Sequence, residues 1–190
     1  MTALLSINWL VVVLLVIGGY STFVRDINSA MFSMFALKAG EYATLFFVLV
    51  SIPGIARRFR FSHKLIMIIS MYRRQLGVLT YLLILMHALI LRIIPWVTTQ
   101  IPLTFELFVA AGSLANMALF ALFITSNDWS VKTLREWWGK IHTLIYVAVW
   151  FIFLHLAIQG VSKWSVIIGI TAVLQVASHM YFYRRLRSLN

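Results

Sequence analysis

The chain has 190 residues, of which 62% are hydrophobic and only 11% charged, a balance far outside that of soluble domains. It is expected to be an all-α integral membrane protein. The net charge of +11 would suit a nucleic-acid partner only if it gathered on one soluble face, and the lack of cysteine excludes disulfides, thiolate-held iron–sulfur clusters and covalently attached c-type haem.

Crossing about 30 Å of hydrocarbon takes roughly 20 mostly apolar residues. Six such runs are expected to fill the chain as one domain over residues 1–190, a six-helix transmembrane bundle at about 4–23, 40–55, 75–96, 103–125, 138–160 and 164–183. The run 4–23 has no basic residue before it and no small-x-small cleavage site after it, so it is expected to be a retained helix and not a signal peptide. After 40–55 comes a basic connection with Arg57, Arg58, Arg60, His63, Lys64, Arg73 and Arg74. The run 75–96 carries Gly77 and His87 and reaches Arg92 and Pro95 at its far end. The stretch "AAGSLANMA" in 103–125 has the small residues that let helices approach closely or leave room for a flat cofactor, and Gly77 has the same two readings. Lys132, Arg135 and Lys140 precede or open 138–160, which holds His142 and His155, and 164–183 holds His179 before a tail with Arg184, Arg185 and Arg187.

Twelve of these cations fall on one side of the expected membrane, against Arg25, Lys38, Arg92 and Lys163 on the other. The positive-inside rule then places both termini in the cytoplasm, so the basicity reads as topology and membrane-lipid contact, with no nucleic acid implied.

Ionisable groups inside a span are costly and mark candidate sites. His87 lies eight residues before Pro95 and His155 eight before Lys163, each about 12 Å inside the outer boundary at 1.5 Å per residue. Their runs point the same way, so two imidazoles at one depth could clamp an iron porphyrin; alternatively each simply hydrogen-bonds a neighbouring helix. His142 and His155 are thirteen residues apart and fall about 140° from each other on an ideal helix, so a common inward face needs an overwound or tilted helix or an imidazole that reaches sideways. Arg73 lies within about 40° of His87 and level with His142. An arginine is a poor iron ligand but can pair with a haem propionate; Arg74, Lys140 and Arg92 have a similar capacity. His63 and His179 are expected to be interfacial or packing residues. No glycine-rich phosphate loop follows a strand, so no nicotinamide or flavin domain of the Rossmann kind is expected, and the chain reads as a relay between partners, not catalytic on its own.

The motifs "RRQLG" at 73–77, His87, "TS" at 125–126, "LREWWGKIH" ending at His142, His155 thirteen residues on and the tail "YRRLRSLN" together resemble the MsrQ (formerly YedZ) haem-binding membrane subunits, part of the ferric-reductase-like transmembrane family that includes the NADPH oxidases. The resemblance runs from about residue 40 to the C-terminus. It implies b-type haem with His87 and His155 as axial iron ligands. Where the oxidase relatives have a fourth histidine this chain has Arg73, so His142 is left as the ligand of a second haem, and the count stays at one or two. It implies a bacterial inner-membrane cytochrome b taking electrons at the cytoplasmic side from a flavin reductase, through FMN, or from the quinone pool. A periplasmic molybdopterin enzyme of the MsrP kind would receive them for methionine sulfoxide reduction. Two other readings are open: a related cytochrome b serving another outer acceptor such as iron, and a non-redox transporter or assembly subunit whose histidines pack or relay protons.

Overall fold

The structure is a computed structural model and describes residues 29–99 and 106–187; the expected helix at 4–23 lies outside them. Helix α1 (Ser29–Arg58) begins well before the expected residue 40. Lys38 and Glu41 interrupt the apolar run, but on one helix face they form an ion pair of 2.9 Å, so the helix continues through them. It also continues past Pro53, as membrane helices do when neighbouring groups take up the backbone atoms a proline leaves unpaired. It closes on Arg57 and Arg58, cations that suit a helix C-terminus.

The basic connection contains an unexpected short helix, α2 (Lys64–Met71), capped by His63, whose ring nitrogen accepts from the Leu65 backbone N–H at 3.3 Å. Next comes α3 (Arg73–Ala88), followed by a π-helical turn (Leu89–Ile93) and α4 (Ile94–Thr99). The turn precedes Pro95, which has no N–H to keep the normal ladder going.

Helix α5 (Leu107–Ile124) is followed by α6 (Asp128–Leu134), started by an Asn127 side chain that accepts from Ser130 N–H at 2.8 Å. Arg135, at φ +47°, turns the chain into α7 (Glu136–His142). After Thr143 come α8 (Leu144–Gln159), ended by Gly160 at φ +137°, and α9 (Lys163–Arg187).

Five stretches among the described residues are long and apolar enough to cross a membrane: Met31–Arg58, Arg73–Thr98, Leu107–Ile124, Glu136–Gln159 and Lys163–Arg187. The protein is an all-α multi-pass membrane protein. Its spanning helices pack in a closed ring, α1 on α3, α3 on α5, α5 on α8, α8 on α9 and α9 back on α1. Small residues make the close approaches: Ala36, Ala39 and Ala43 of α1 are buried, as are Ala111 and Ala115 of α5 and Ala172 of α9. A modest core of Phe47, Tyr81, Leu119, Val149 and Ile168 fills the middle. Large apolar side chains such as Met117 and Val173 point outward, as lipid-facing positions require. Helices α3 and α8 have no direct backbone contact and face each other across the ring.

Candidate functional site

His87 of α3 and His155 of α8 meet across that gap, with ring centroids 6.5 Å apart and ring planes at 90°. Each ring is anchored the same way. His87 Nδ1 lies 2.9 Å from the Ala36 carbonyl of α1, and His155 Nδ1 lies 2.7 Å from the Phe108 carbonyl of α5. A carbonyl oxygen can only accept, so in both rings Nδ1 carries the proton and Nε2 keeps its lone pair. This is the arrangement in which an imidazole binds a metal, with its other nitrogen donating to an outer partner that fixes tautomer and orientation.

The separation also fits. Two metal–nitrogen bonds of about 2 Å, plus about 1.1 Å from each nitrogen to its ring centre, place two imidazoles flanking one metal roughly 6.3 Å apart. Among the described residues no group of three or more His, Cys, Asp or Glu side chains could hold a metal ion. A metal between these rings would therefore take its remaining ligands from a macrocycle, which makes the pair suited to a porphyrin. The amide of Gln159, exposed at the end of α8, lies 3.3 Å from His155 Nε2 and donates to the His155 carbonyl at 2.8 Å. A metal at Nε2 would displace only the longer of these two contacts.

The inner level is organised differently. A cavity of about 450 Å³ is lined by Arg73, Arg74, Gly77, Tyr81, Trp138 and His142, among others. The phase problem between His142 and His155 is resolved by a break: α7 stops at His142, and Thr143 and Tyr146 donate backbone bonds to Lys140 and Thr143, at 3.1 and 2.9 Å, spanning three residues instead of four. These tighter turns overwind the chain locally and let both imidazoles face inward. His142 is not set like the outer pair. Its Nε2 is engaged with the Thr125 hydroxyl at 3.2 Å, and that hydroxyl also reaches the Ala121 carbonyl at 2.7 Å. Trp138 stacks on the same ring at 4.0 Å and donates to the Thr125 carbonyl at 3.0 Å.

Arg73 lines this cavity, whereas Arg74, also on its wall, is tied to Asp128 at 2.7 Å. Gly77 has no protein atom within 4 Å of where a Cβ would stand, so of its two readings the close-neighbour one falls away and it simply widens the cavity. Lys140 lies over the Trp137 ring at 4.4 Å, and Arg92 sits in the π-helical turn. His63 is the cap of α2. His179 bonds the Gln175 carbonyl at 3.0 Å and packs edge-on against Tyr146 at 4.6 Å.

Sequence reasoning missed the carbonyl anchors, because any residue supplies a carbonyl, and it missed a network joining three helices. In that network Arg58 of α1 donates to the Tyr146 hydroxyl of α8 and, at 3.0 Å, to Ser178 of α9.

Over 80 residues the chain is 32% identical to the protein-methionine-sulfoxide reductase heme-binding subunit MsrQ of Rhizobium meliloti (strain 1021). Over 82 residues it is 30% identical to the protein of the same name from Brucella anthropi and 29% to that from Brucella ovis. These matches take in 40% or 41% of this chain and 37% of each relative, so the chain matches little more than a third of the length of these curated relatives. No family model and no solved structure matches it. The chain is thus similar to the MsrQ heme-binding subunits, the family that its own ordered motifs resemble.

Proposed function

We propose that this chain is a haem b-binding subunit of the bacterial inner membrane that relays electrons outward to a periplasmic molybdenum enzyme reducing methionine sulfoxide. The observation that carries the reading is the facing pair His87 and His155, each with Nδ1 held by a backbone carbonyl and Nε2 left to bind a metal. The likeness to proteins named as heme-binding MsrQ subunits supports the choice of cofactor and partner.

When bound, the haem supplies a one-electron carrier. The residues hold and orient it. His87 and His155 would hold it through Nε2, and the carbonyls of α1 and α5 fix the rotation of their rings. At the inner level the cavity beside Arg73 and His142 is where electrons are proposed to arrive from a flavin reductase, by way of FMN, or from a quinol. A second haem there would draw on His142 as a ligand and on Arg73 as a propionate partner. The cationic ends Arg57, Arg58, Arg184, Arg185 and Arg187 face the cytoplasm in this reading, with both termini inside.

The test is the reduced-minus-oxidised spectrum and haem-to-protein ratio of the detergent-purified protein, with His87→Ala, His155→Ala and His142→Ala beside it. A low-spin b-type signal lost in the first two variants is expected, with a lesser and different loss in the third. Haem content equal in all four proteins would defeat the ligand assignment, and a protein that takes up no haem would defeat the reading altogether.

A further inference from the structure

The two outer histidines do more than face each other; each brings its Nδ1 edge against the backbone of another helix, and the same local sequence feature permits both contacts. His87 donates to the carbonyl of Ala36, and one turn further along α1 stands Gly40. His155 donates to the carbonyl of Phe108, and one turn further along α5 stands Gly112. Residues four apart lie on one helix face, so in each case the ring spans the acceptor carbonyl and the glycine above it. A Cβ added at Gly40 would sit 2.9 Å from His87 Nδ1 and 3.1 Å from its Cε1. One added at Gly112 would sit 2.6 Å from His155 Nδ1 and 3.0 Å from its Cε1. Neither approach is tolerable for carbon against a ring atom, so an alanine at either place pushes the imidazole away from its carbonyl.

Both glycines lie inside membrane-spanning helices, where glycine costs up to about 1 kcal/mol relative to alanine. Glycine has no conformational use at these two positions, since neither has a positive φ. Among the described residues, closeness to a histidine ring nitrogen is particular to these two helical glycines. A Cβ at Gly77 or Gly139 would meet no atom within 4 Å, and one at Gly169 would meet the Phe153 ring.

We infer that Gly40 and Gly112 are positioning residues for the two imidazoles. By admitting the ring to the helix backbone they let a main-chain carbonyl hold Nδ1–H, which fixes the tautomer and turns Nε2 into the gap. The bond also raises the basicity of Nε2 and so favours the oxidised, more positive state of a metal bound there. The inference rests on the haem reading for its consequence and on the carbonyl geometry for its cause.

The experiment compares Gly40→Ala and Gly112→Ala with the wild-type protein, each purified with haem and read by electron paramagnetic resonance, redox titration and haem affinity. Loss of an outer partner of this kind lowers metal affinity by about 10- to 100-fold. Both variants are expected to show that loss, a changed low-spin ferric signal and a raised midpoint potential. Gly40→Ala and Gly112→Ala that bind haem with wild-type signal, potential and affinity overturn the inference while leaving the haem reading intact; a wild-type protein without haem defeats the haem reading instead. Should the two variants fail to fold, ¹⁵N-histidine NMR of the haem-free wild type decides. Protonated Nδ1 and unprotonated Nε2 at His87 and His155 support the inference, and the reverse tautomer overturns it.

Discussion

At the scale of single residues, the outer and inner histidines differ in which nitrogen is free. His87 and His155 commit Nδ1–H to carbonyls and keep Nε2, whereas the Nε2 of His142 is engaged with the Thr125 hydroxyl. The outer pair is therefore set for a ligand before one arrives, and His142 has to leave a hydroxyl to become one. This is why His142→Ala is expected to cost less haem than either outer variant. Gln159 also touches His155 Nε2, but it is exposed and its shorter bond goes to a backbone carbonyl. Gln159→Ala should leave haem content and spectrum at wild-type levels; a large loss would mean that Gln159 takes part in holding the site. The histidine identities were legible because imidazoles inside apolar runs are rare, but their tautomers were not, since those depend on carbonyls contributed by helices far away in the chain.

At the scale of elements, the carriers matter as much as the ligand helices. Helix α3 leans on α1 and α8 on α5, and each carrier supplies a carbonyl to its partner's histidine. The expected runs 75–96 and 138–160 overlap the spans Arg73–Thr98 and Glu136–Gln159, since long apolar runs with few charges leave little choice. The sequence started α1 too late, because Lys38 and Glu41 look like a boundary until their i,i+3 pairing is seen. It treated 138–160 as one helix, and the three-residue turns at Thr143 that settle the relative facing of His142 and His155 carry no strong sequence signal. The Arg58 network ties α1 to α8 and α9 at the inner end. Hydrogen bonds to a charged group contribute about 1.5–3 kcal/mol, so Arg58→Ala should lower resistance to denaturant in detergent by an amount of that order. An unchanged unfolding curve would show that the bundle does not depend on this tie.

At the scale of the whole molecule, the closed ring sets α3 and α8 opposite each other across a side-chain core, with an imidazole pair towards one end and the cavity beside Arg73 and His142 towards the other. The cavity end also carries Arg74 and the paired Asp128. The proposed orientation puts that end in the cytoplasm. A green fluorescent protein fused to the C-terminus should then fluoresce, and alkaline phosphatase fused after Gly160 should be active; the opposite pattern would invert the membrane topology and with it the direction of electron flow.

By itself the sequence determined the class of the protein and the kind of centre it could hold. Apolar length dictates membrane helices, and with no cysteine the intramembrane histidines are left as the candidate ligands of any redox centre. Through which nitrogen each outer histidine is held, and why Gly40 and Gly112 differ from Gly77, were decided only by the tertiary structure. Those facts depend on how helices distant in sequence approach one another. A carbonyl or a missing Cβ acquires a role only when another helix brings a ring within 3 Å of it.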